Sequence, residues 1–335
     1  MTFQRPIVNS QDIPTIMKAY PFGNVIHSEY IGGVPNVTYK VVVPEGVFAV
    51  RVSNHGYTSF EHLELEVALL QHLTNLGFQE SPRLIAGSNG EILQRWNDYW
   101  VRAAKFIPGD TGDTVEINSV LCRDVGKVVA SLQRALDLFN PGRILEHETF
   151  IERAENLFSE FPAILSERGW ALDTDTVVPQ WKRSSEEFMR YANELKTNII
   201  HADIWPPNVI CERGAIIGLI DFDDWCHGAS IIDLCAALSE FPAFMTVTMN
   251  EGFALALIQG YLSNGGTITE LEEHLIADGI EMVFATWFAC NVIQNPNFSE
   301  SEIYLRKLES LKDDASKENL RADFHRLVKM ARKQL

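Results

Sequence analysis

Three oxygen-bearing side chains stand at fixed intervals near the middle of the chain. Asp203 precedes Asn208 by five positions in His201-Ala-Asp203-Ile-Trp-Pro-Pro-Asn208, and Asp221 follows thirteen positions later in Gly218-Leu-Ile-Asp221-Phe-Asp223-Asp224. A carboxylate, an amide and a second carboxylate are what phosphoryl transfer asks of a protein. One carboxylate accepts the proton of the attacking hydroxyl, and two hard oxygen donors hold Mg²⁺ against nucleotide phosphates.

Taken singly, Asp and Asn are common turn and cap residues. Their local setting makes the three a set. Residues 208–211 and 216–221 are strand-like and flank Glu212-Arg-Gly214, a turn signal, so they predict a β-hairpin. Asn208 then falls opposite residue 218 or 219, with Asp221 ~7–10 Å along the ladder. Asp203 sits in the loop that feeds the hairpin and is left to act as base. His201 is expected to brace that loop rather than move protons. Asp233, in Ser230-Ile-Ile-Asp233-Leu, starts or caps an apolar helix and is expected to hold the same loop. Asp223 and Asp224 remain open between metal or substrate support and solvated loop acids.

The surrounding elements are β-rich first and α-rich later. A short helix is expected over 10–20. Strands are expected over 25–31, 37–43, 47–52, 83–86, 91–93 and 99–107, with one helix over 60–76. After Pro108-Gly109 the expected helices are 118–139, 148–165, 184–195, 230–238, 250–262 and 271–293. A charged, amphipathic tail, 299–335, reads as a helix pair. The fold class is α+β and bilobal, with lobes at 1–107 and 108–335 and a ligand cleft between them.

The first lobe carries the features of a nucleotide site. Gly32-Gly33-Val-Pro-Asn36 joins two strands, and glycines there let backbone amides approach phosphates. Arg51 on the third strand is the candidate phosphate cation. Glu66 is its expected partner, with Glu61 and Glu64 as alternatives on the same helix. Lys105, Phe106 and Ile107 form the segment whose backbone would read a purine base.

With these motifs in hand, the chain resembles the aminoglycoside phosphotransferase and choline kinase-like superfamily, the small-molecule branch of the protein-kinase fold. The resemblance rests on Gly32-Gly33-x-x-Asn36, Arg51, Glu66, Phe106-Ile-Pro-Gly109, His201-x-Asp203-x4-Asn208, Ile220-Asp221-Phe-Asp223 and Asp233-Leu. It implies Mg²⁺-dependent transfer of the γ-phosphoryl group of ATP, with GTP not excluded, to a small molecule's hydroxyl. It implies Asp203 as base and Asn208 and Asp221 as metal ligands. Homoserine and hydroxylysine kinase-like members share the Pro-Gly at the lobe junction. The chain departs from the protein-kinase pattern in three ways. Arg51 stands where many kinases have Lys, a three-glycine loop is missing, and Asp223 replaces the Gly of Asp-Phe-Gly with no Ala-Pro-Glu segment after it. These departures disfavour a protein substrate.

Composition narrows the partners. The 335 residues are 46% hydrophobic and 22% charged, an ordinary globular balance. A formal charge of −17, from 28 basic and 45 acidic residues, disfavours nucleic acid and would attract a cationic acceptor. Trp205, Trp225, Tyr261 and Trp287, with Asp223, Asp224 and Glu240, are the residues that would surround an ammonium group, although Trp287 reads as core. An amino alcohol is the expected acceptor. The five cysteines are an odd number without a C-x-x-C pair, which fits buried thiols in a reducing compartment. No signal peptide or ~20-residue membrane span is evident, so a cytoplasmic monomer or homodimer is expected. Two other classes would use the same residues. A pseudokinase would lack an intact Asp203, Asn208 and Asp221, and a metal-dependent hydrolase built on His201, Asp203 and Asp221 would need a further acid or His cluster.

Overall fold

A computed structural model of the chain describes residues 6–33, 36–53, 59–140, 149–168, 174–243, 245–294 and 302–335. The chain forms two compact units. Unit 1 comprises Met1–Pro108, Phe139–Arg143 and Gly218–Ile220, and unit 2 comprises Gly109–Leu138, Ile144–Ile217 and Asp221–Leu335.

Unit 1 contains α1 (Ile13–Met17), β1 (His27–Gly32), β2 (Val37–Val43), β3 (Gly46–Ser53), α2 (Phe60–Asn75), β4 (Leu84–Ile85), β5 (Gln94–Trp96) and β6 (Tyr99–Lys105). The antiparallel sheet runs β1-β2-β3-β6-β4, with β5 paired to β6. Strand β2 buries every second side chain, and Val37, Tyr39, Val41 and Val43 form one wall of a core with Val50, Val52 and Val101. Ser59 caps α2 by accepting the His62 N–H, a bond of the kind worth about 1 kcal/mol.

One expected strand is displaced. Residues 91–93 are loop, and the strand begins at Gln94. The cause is the two-residue turn Asn97-Asp98, which brings Trp96 opposite Tyr99 and so fixes the register of β5. Asn97 adopts φ 50°, a left-handed conformation that Asn tolerates well.

Unit 2 contains β7 (Asp110–Thr111), α3 (Ser119–Leu136), α4 (Phe150–Arg168), α5 (Thr174–Arg190), β8 (Thr197–Ile200), β9 (Val209–Glu212), β10 (Ala215–Leu219, whose last residues belong to unit 1), β11 (Cys226–Ala229) and α6 (Ile231–Glu240). It continues through α7 (Glu251–Ser263), α8 (Glu270–Gln294), α9 (Glu302–Glu309) and α10 (Asp314–Arg332). The expected hairpin is present as β9 and β10, and β7 joins its outer edge. Strand β11, which sequence reasoning missed, pairs antiparallel with β8. Helix α5 begins ten residues before the expected start and contains Pro179. That proline breaks the helical pattern in the sequence, but near a helix N-terminus it removes only one ladder bond.

Two packing features organise the helices. Helices α3 and α7 meet backbone to backbone at two glycines. A Cβ on Gly126 would lie 2.0 Å from the Leu257 carbonyl oxygen, and one on Gly260 only 1.8 Å from that of Arg123. Helix α8 is the central post, packed by α4, α5, α6, α9 and α10. The expected helix over 271–293, in which no bilayer span was evident, is part of this helix. With a mean hydropathy of 1.4 over its apolar window, α8 is long and apolar enough to cross one, but 83% of that window is buried inside the protein. It is a core helix.

Candidate active site

The loop between β8 and β9 is held from below by one buried carboxylate. Asp233 lies in the first turn of α6, where Ser230 rather than Asp233 is the cap residue. Its two oxygens accept the backbone N–H groups of His201 at 3.1 Å and Ala202 at 2.9 Å. Ala202 adopts φ 64°, a left-handed conformation costly for a residue with a Cβ. The two bonds to Asp233 hold it there. His201 continues the brace: its Nδ1 accepts the Asp203 N–H at 3.3 Å, and its ring packs on Phe222 at 4.4 Å. With Nδ1 as acceptor the ring proton sits on Nε2. His201 and Asp233 therefore support the loop.

Asn208 fixes the orientation of Asp203. Its Nδ2 donates to the Asp203 carbonyl at 3.0 Å and to Asp203 Oδ2 at 2.7 Å. Among the described residues, neither Asn208 Oδ1 nor Asp203 Oδ1 accepts a hydrogen bond. Asn208 is buried, so an amide oxygen is left for a partner from outside the chain. That oxygen and the Asp203 carboxylate beside it are hard donors, which suit Mg²⁺ rather than a soft metal, although no group of three His, Cys, Asp or Glu side chains placed to hold a metal stands among the described residues.

Asp221 also takes a left-handed conformation, φ 64° and ψ 63°, where β10 gives way to the short 3-10 turn Phe222–Asp224. Desolvation, then Asp224, then Asp221, raises the Asp203 carboxyl well above the usual carboxylate range; the Asn208 bond opposes this and Glu240 adds to it. Four carboxylates thus share one field. The question left open for Asp223 and Asp224 divides cleanly. Asp223 is buried in the turn. Asp224 is partly exposed, acts on Asp203 and pairs with Arg153 of α4, whose guanidinium Nη2 also donates to the Trp225 carbonyl at 3.3 Å.

The aromatic candidates separate too. Trp225 is buried within the core. Tyr261 is also core, donating through its hydroxyl to Gln133 Oε1 at 2.6 Å. Neither offers a ring face to a ligand. Trp205 and Trp287 are half-buried and face each other at 6.4 Å, so Trp287 is not the core residue its sequence suggested. Tyr304 of α9, which sequence reasoning missed, extends the wall at 6.0 Å from Trp287. Beside Tyr304 lies a buried ion pair, Lys307 with Glu240, at 2.9 Å. Lys307 Nζ stands 5.3 Å from the Tyr304 ring and 4.8 Å from that of Phe284.

In unit 1, Glu66 is buried on α2, whereas Glu61 and Glu64 are exposed. The partner recorded for Glu66 Oε1 is Arg102 Nη2 of β6, at 2.5 Å. Arg102 reaches Glu66 from the strand next to the expected cation: β6 lies beside β3, and Arg102 stands directly opposite Arg51, which has contacts of its own. Gly32 and Gly33 have φ 133° and 106°, and a Cβ on Gly33 would come within 2.7 Å of the buried Asn36's carbonyl oxygen. Val34 and Pro35 of this loop lie outside the described residues. Lys105 and Phe106 spend their N–H groups on the Arg83 and Val47 carbonyls, at 2.8 and 3.0 Å. Ile107 makes no hydrogen bond among the described residues, so its backbone is the part of the segment available to a base.

The chain resembles known proteins in sequence and in fold. A family described as "Phosphotransferase enzyme family" matches residues 28–274. A homoserine kinase of Beijerinckia indica is 24% identical over 264 residues, covering 76% of each chain. Among solved structures, an amicoumacin kinase bound to AMP-PNP, Ca²⁺ and amicoumacin superposes with a TM-score of 0.71 at 13% identity, covering 90% of this chain and 92% of its own. A microcompartment-associated aminopropanol kinase superposes with a TM-score of 0.68 at 17% identity, covering 95% and 99%.

Proposed function

We propose that this chain, which belongs to the phosphotransferase enzyme family and is a small-molecule kinase acting on a hydroxyl, transfers the γ-phosphoryl group of ATP to a small amino alcohol of the homoserine type. The observation that carries the reading is the pairing of Asp203 with Asn208. One carboxylate oxygen is fixed by the amide, and the other is open to an acceptor hydroxyl.

In this reading the acceptor oxygen attacks the γ-phosphorus, the bond to the β–γ bridging oxygen breaks, and the hydroxyl proton passes to Asp203 Oδ1. A raised carboxyl pKa suits that task, since a base titrating nearer the working pH takes the proton with a stronger driving force. Asn208 Oδ1 and Asp221 would hold Mg²⁺, which neutralises charge on the phosphates when bound. The nucleotide would lie along unit 1, with phosphates at Gly32, Gly33 and Asn36, a cation from Arg51 beside the Glu66–Arg102 pair, and the base at Lys105, Phe106 and Ile107. Asp224 and the Trp205–Trp287 pair would face the acceptor.

The choice of an amino alcohol is supported by the acidic field around Asp203, by the half-buried tryptophans and by the homoserine kinase relative. ATP consumption against a panel of hydroxylated metabolites tests it, with Asp203→Asn as control. Turnover of homoserine, choline or aminopropanol is the expected result. Turnover of neutral sugars or nucleosides with inert amino alcohols would overturn the acceptor assignment.

A further inference from the structure

The acceptor wall in unit 2 contains an acid in an unfavourable place. Glu240 is the last residue of α6, where the helix dipole disfavours an anion, and its side chain is only 2% exposed. Lys307 satisfies one oxygen, Oε1, at 2.9 Å, and also donates to the Ser239 carbonyl at 3.3 Å. Glu240 Oε2 accepts no hydrogen bond among the described residues. That oxygen is not fully enclosed, so a small donor from outside the chain can reach it, and a carboxylate oxygen in so sheltered a place is usually met by a partner.

Its surroundings point to which partner. Lys307 Nζ is within 5.3 Å of the Tyr304 ring, and the line of rings continues from Tyr304 to Trp287 and Trp205 at 6.0 and 6.4 Å. Trp205 lies two residues beyond Asp203 on the same loop. The Glu240 charge is felt both at Asp203 and at the Tyr304 hydroxyl. An acid and three aromatic rings therefore lead away from the base. A second cation seated among them would meet the free oxygen and the ring faces together.

We propose that Glu240 is the specificity residue of the acceptor site, receiving on Oε2 the ammonium group of the amino alcohol whose hydroxyl faces Asp203. The inference rests on the amino-alcohol reading above. Lys307 has a different part: it pins Oε1 and lets the carboxylate remain charged before the acceptor arrives.

The test compares acceptors that differ only at the amine. Values of kcat/KM are measured for L-homoserine against 4-hydroxybutanoate and for 3-aminopropan-1-ol against butan-1-ol. Wild-type protein and Glu240→Gln are compared. The double variant Glu240→Gln/Lys307→Met leaves no buried lysine unpaired and covers a failure of the single variant to fold. The expected result is a wild-type preference for the amine-bearing member that falls at least tenfold in either variant, chiefly through KM. A merely structural role would lower both members of each pair alike and leave the preference intact, which would overturn the inference. If the wild-type protein itself shows no preference for the amine, the amino-alcohol reading fails, and the assignment of Glu240 falls with it.

Discussion

The Glu66–Arg102 pair offers a quantitative test of how unit 1 is held. The two groups meet at 2.5 Å with side chains 1% and 8% exposed. Taking the charge centres as ~4 Å apart and an effective dielectric of ~20, their attraction is about 4 kcal/mol. Desolvation of both ions offsets most of that, so the intact pair adds little net stability. Removing one partner is another matter, because the survivor stays buried and loses the counter-charge that faced it. Glu66→Gln or Arg102→Met should each cost about 3–5 kcal/mol. The double variant should stay within about 2 kcal/mol of wild type, which makes the coupling about 4 kcal/mol or more. Amide hydrogen exchange on β3 and β6 reads this locally, without assuming that both units unfold together. Each single variant should exchange on the order of 10³-fold faster there, and the double variant should recover most of the protection. Single variants that exchange within threefold of wild type, or a double variant as poor as the sum of the singles, would refute the reasoning.

Other perturbations have equally definite outcomes. Asp203→Asn should lower kcat by about 10²–10⁴-fold while leaving the dissociation constant for ATP unchanged, as measured by calorimetry. Gly33→Ala forces a Cβ to φ 106° and against the Asn36 carbonyl, so it should destabilise the β1–β2 turn by about 1–3 kcal/mol and raise the KM for ATP. Gly260→Ala should separate α3 from α7 and cost about 1–3 kcal/mol or more in denaturant titrations. Burial pushes Asp233 up to about 6, against which the Ala202 and His201 N–H groups pull down. The folded state therefore binds this proton more tightly than the unfolded chain, whose Asp titrates near about 4. Its contribution to stability is full below about pH 4 and is lost as pH rises through about 6. Wild type should gain stability relative to Asp233→Asn on going from pH 7.5 to pH 5. A difference that does not change with pH would contradict the assignment.

The parts of the site that were readable in the sequence are the local ones. Asp203, Asn208 and the hairpin after them lie within one short stretch, and spacing alone brings the first two together. Asp233 could be suspected because an acid in the first turn of an apolar helix is conspicuous. Arg102 could not, because its relevance depends on β6 lying beside β3, and many arrangements of that sheet are compatible with the same strand pattern. Glu240 was a candidate for the acceptor side, but Tyr304 and Lys307 were not, because nothing in the sequence says that α6 and α9 meet around α8. Trp287 was misread for a related reason. Tryptophan on a long apolar helix is usually core, and only the packing of α9 leaves this one half-open. The shifted β5 and the early start of α5 had local signals, Asn97-Asp98 and a tolerated proline, that were outweighed by stronger patterns nearby.

Helix α8 has a consequence for how the chain is made. Its apolar surface is covered partly by α4, α5 and α6, which precede it, and partly by α9 and α10, which follow. At ~5–20 residues per second of synthesis, the stretch from Gln294 to Arg332 takes about 2–8 s to complete. During that interval a helix of membrane-spanning length and hydropathy has left the ribosome, or is leaving it, with one flank bare. Chaperones that hold apolar segments, and the machinery that inserts helices into bilayers, would compete for it until the last two helices arrive. A nascent chain halted before α9 is therefore the form of this kinase most exposed to mistargeting and aggregation.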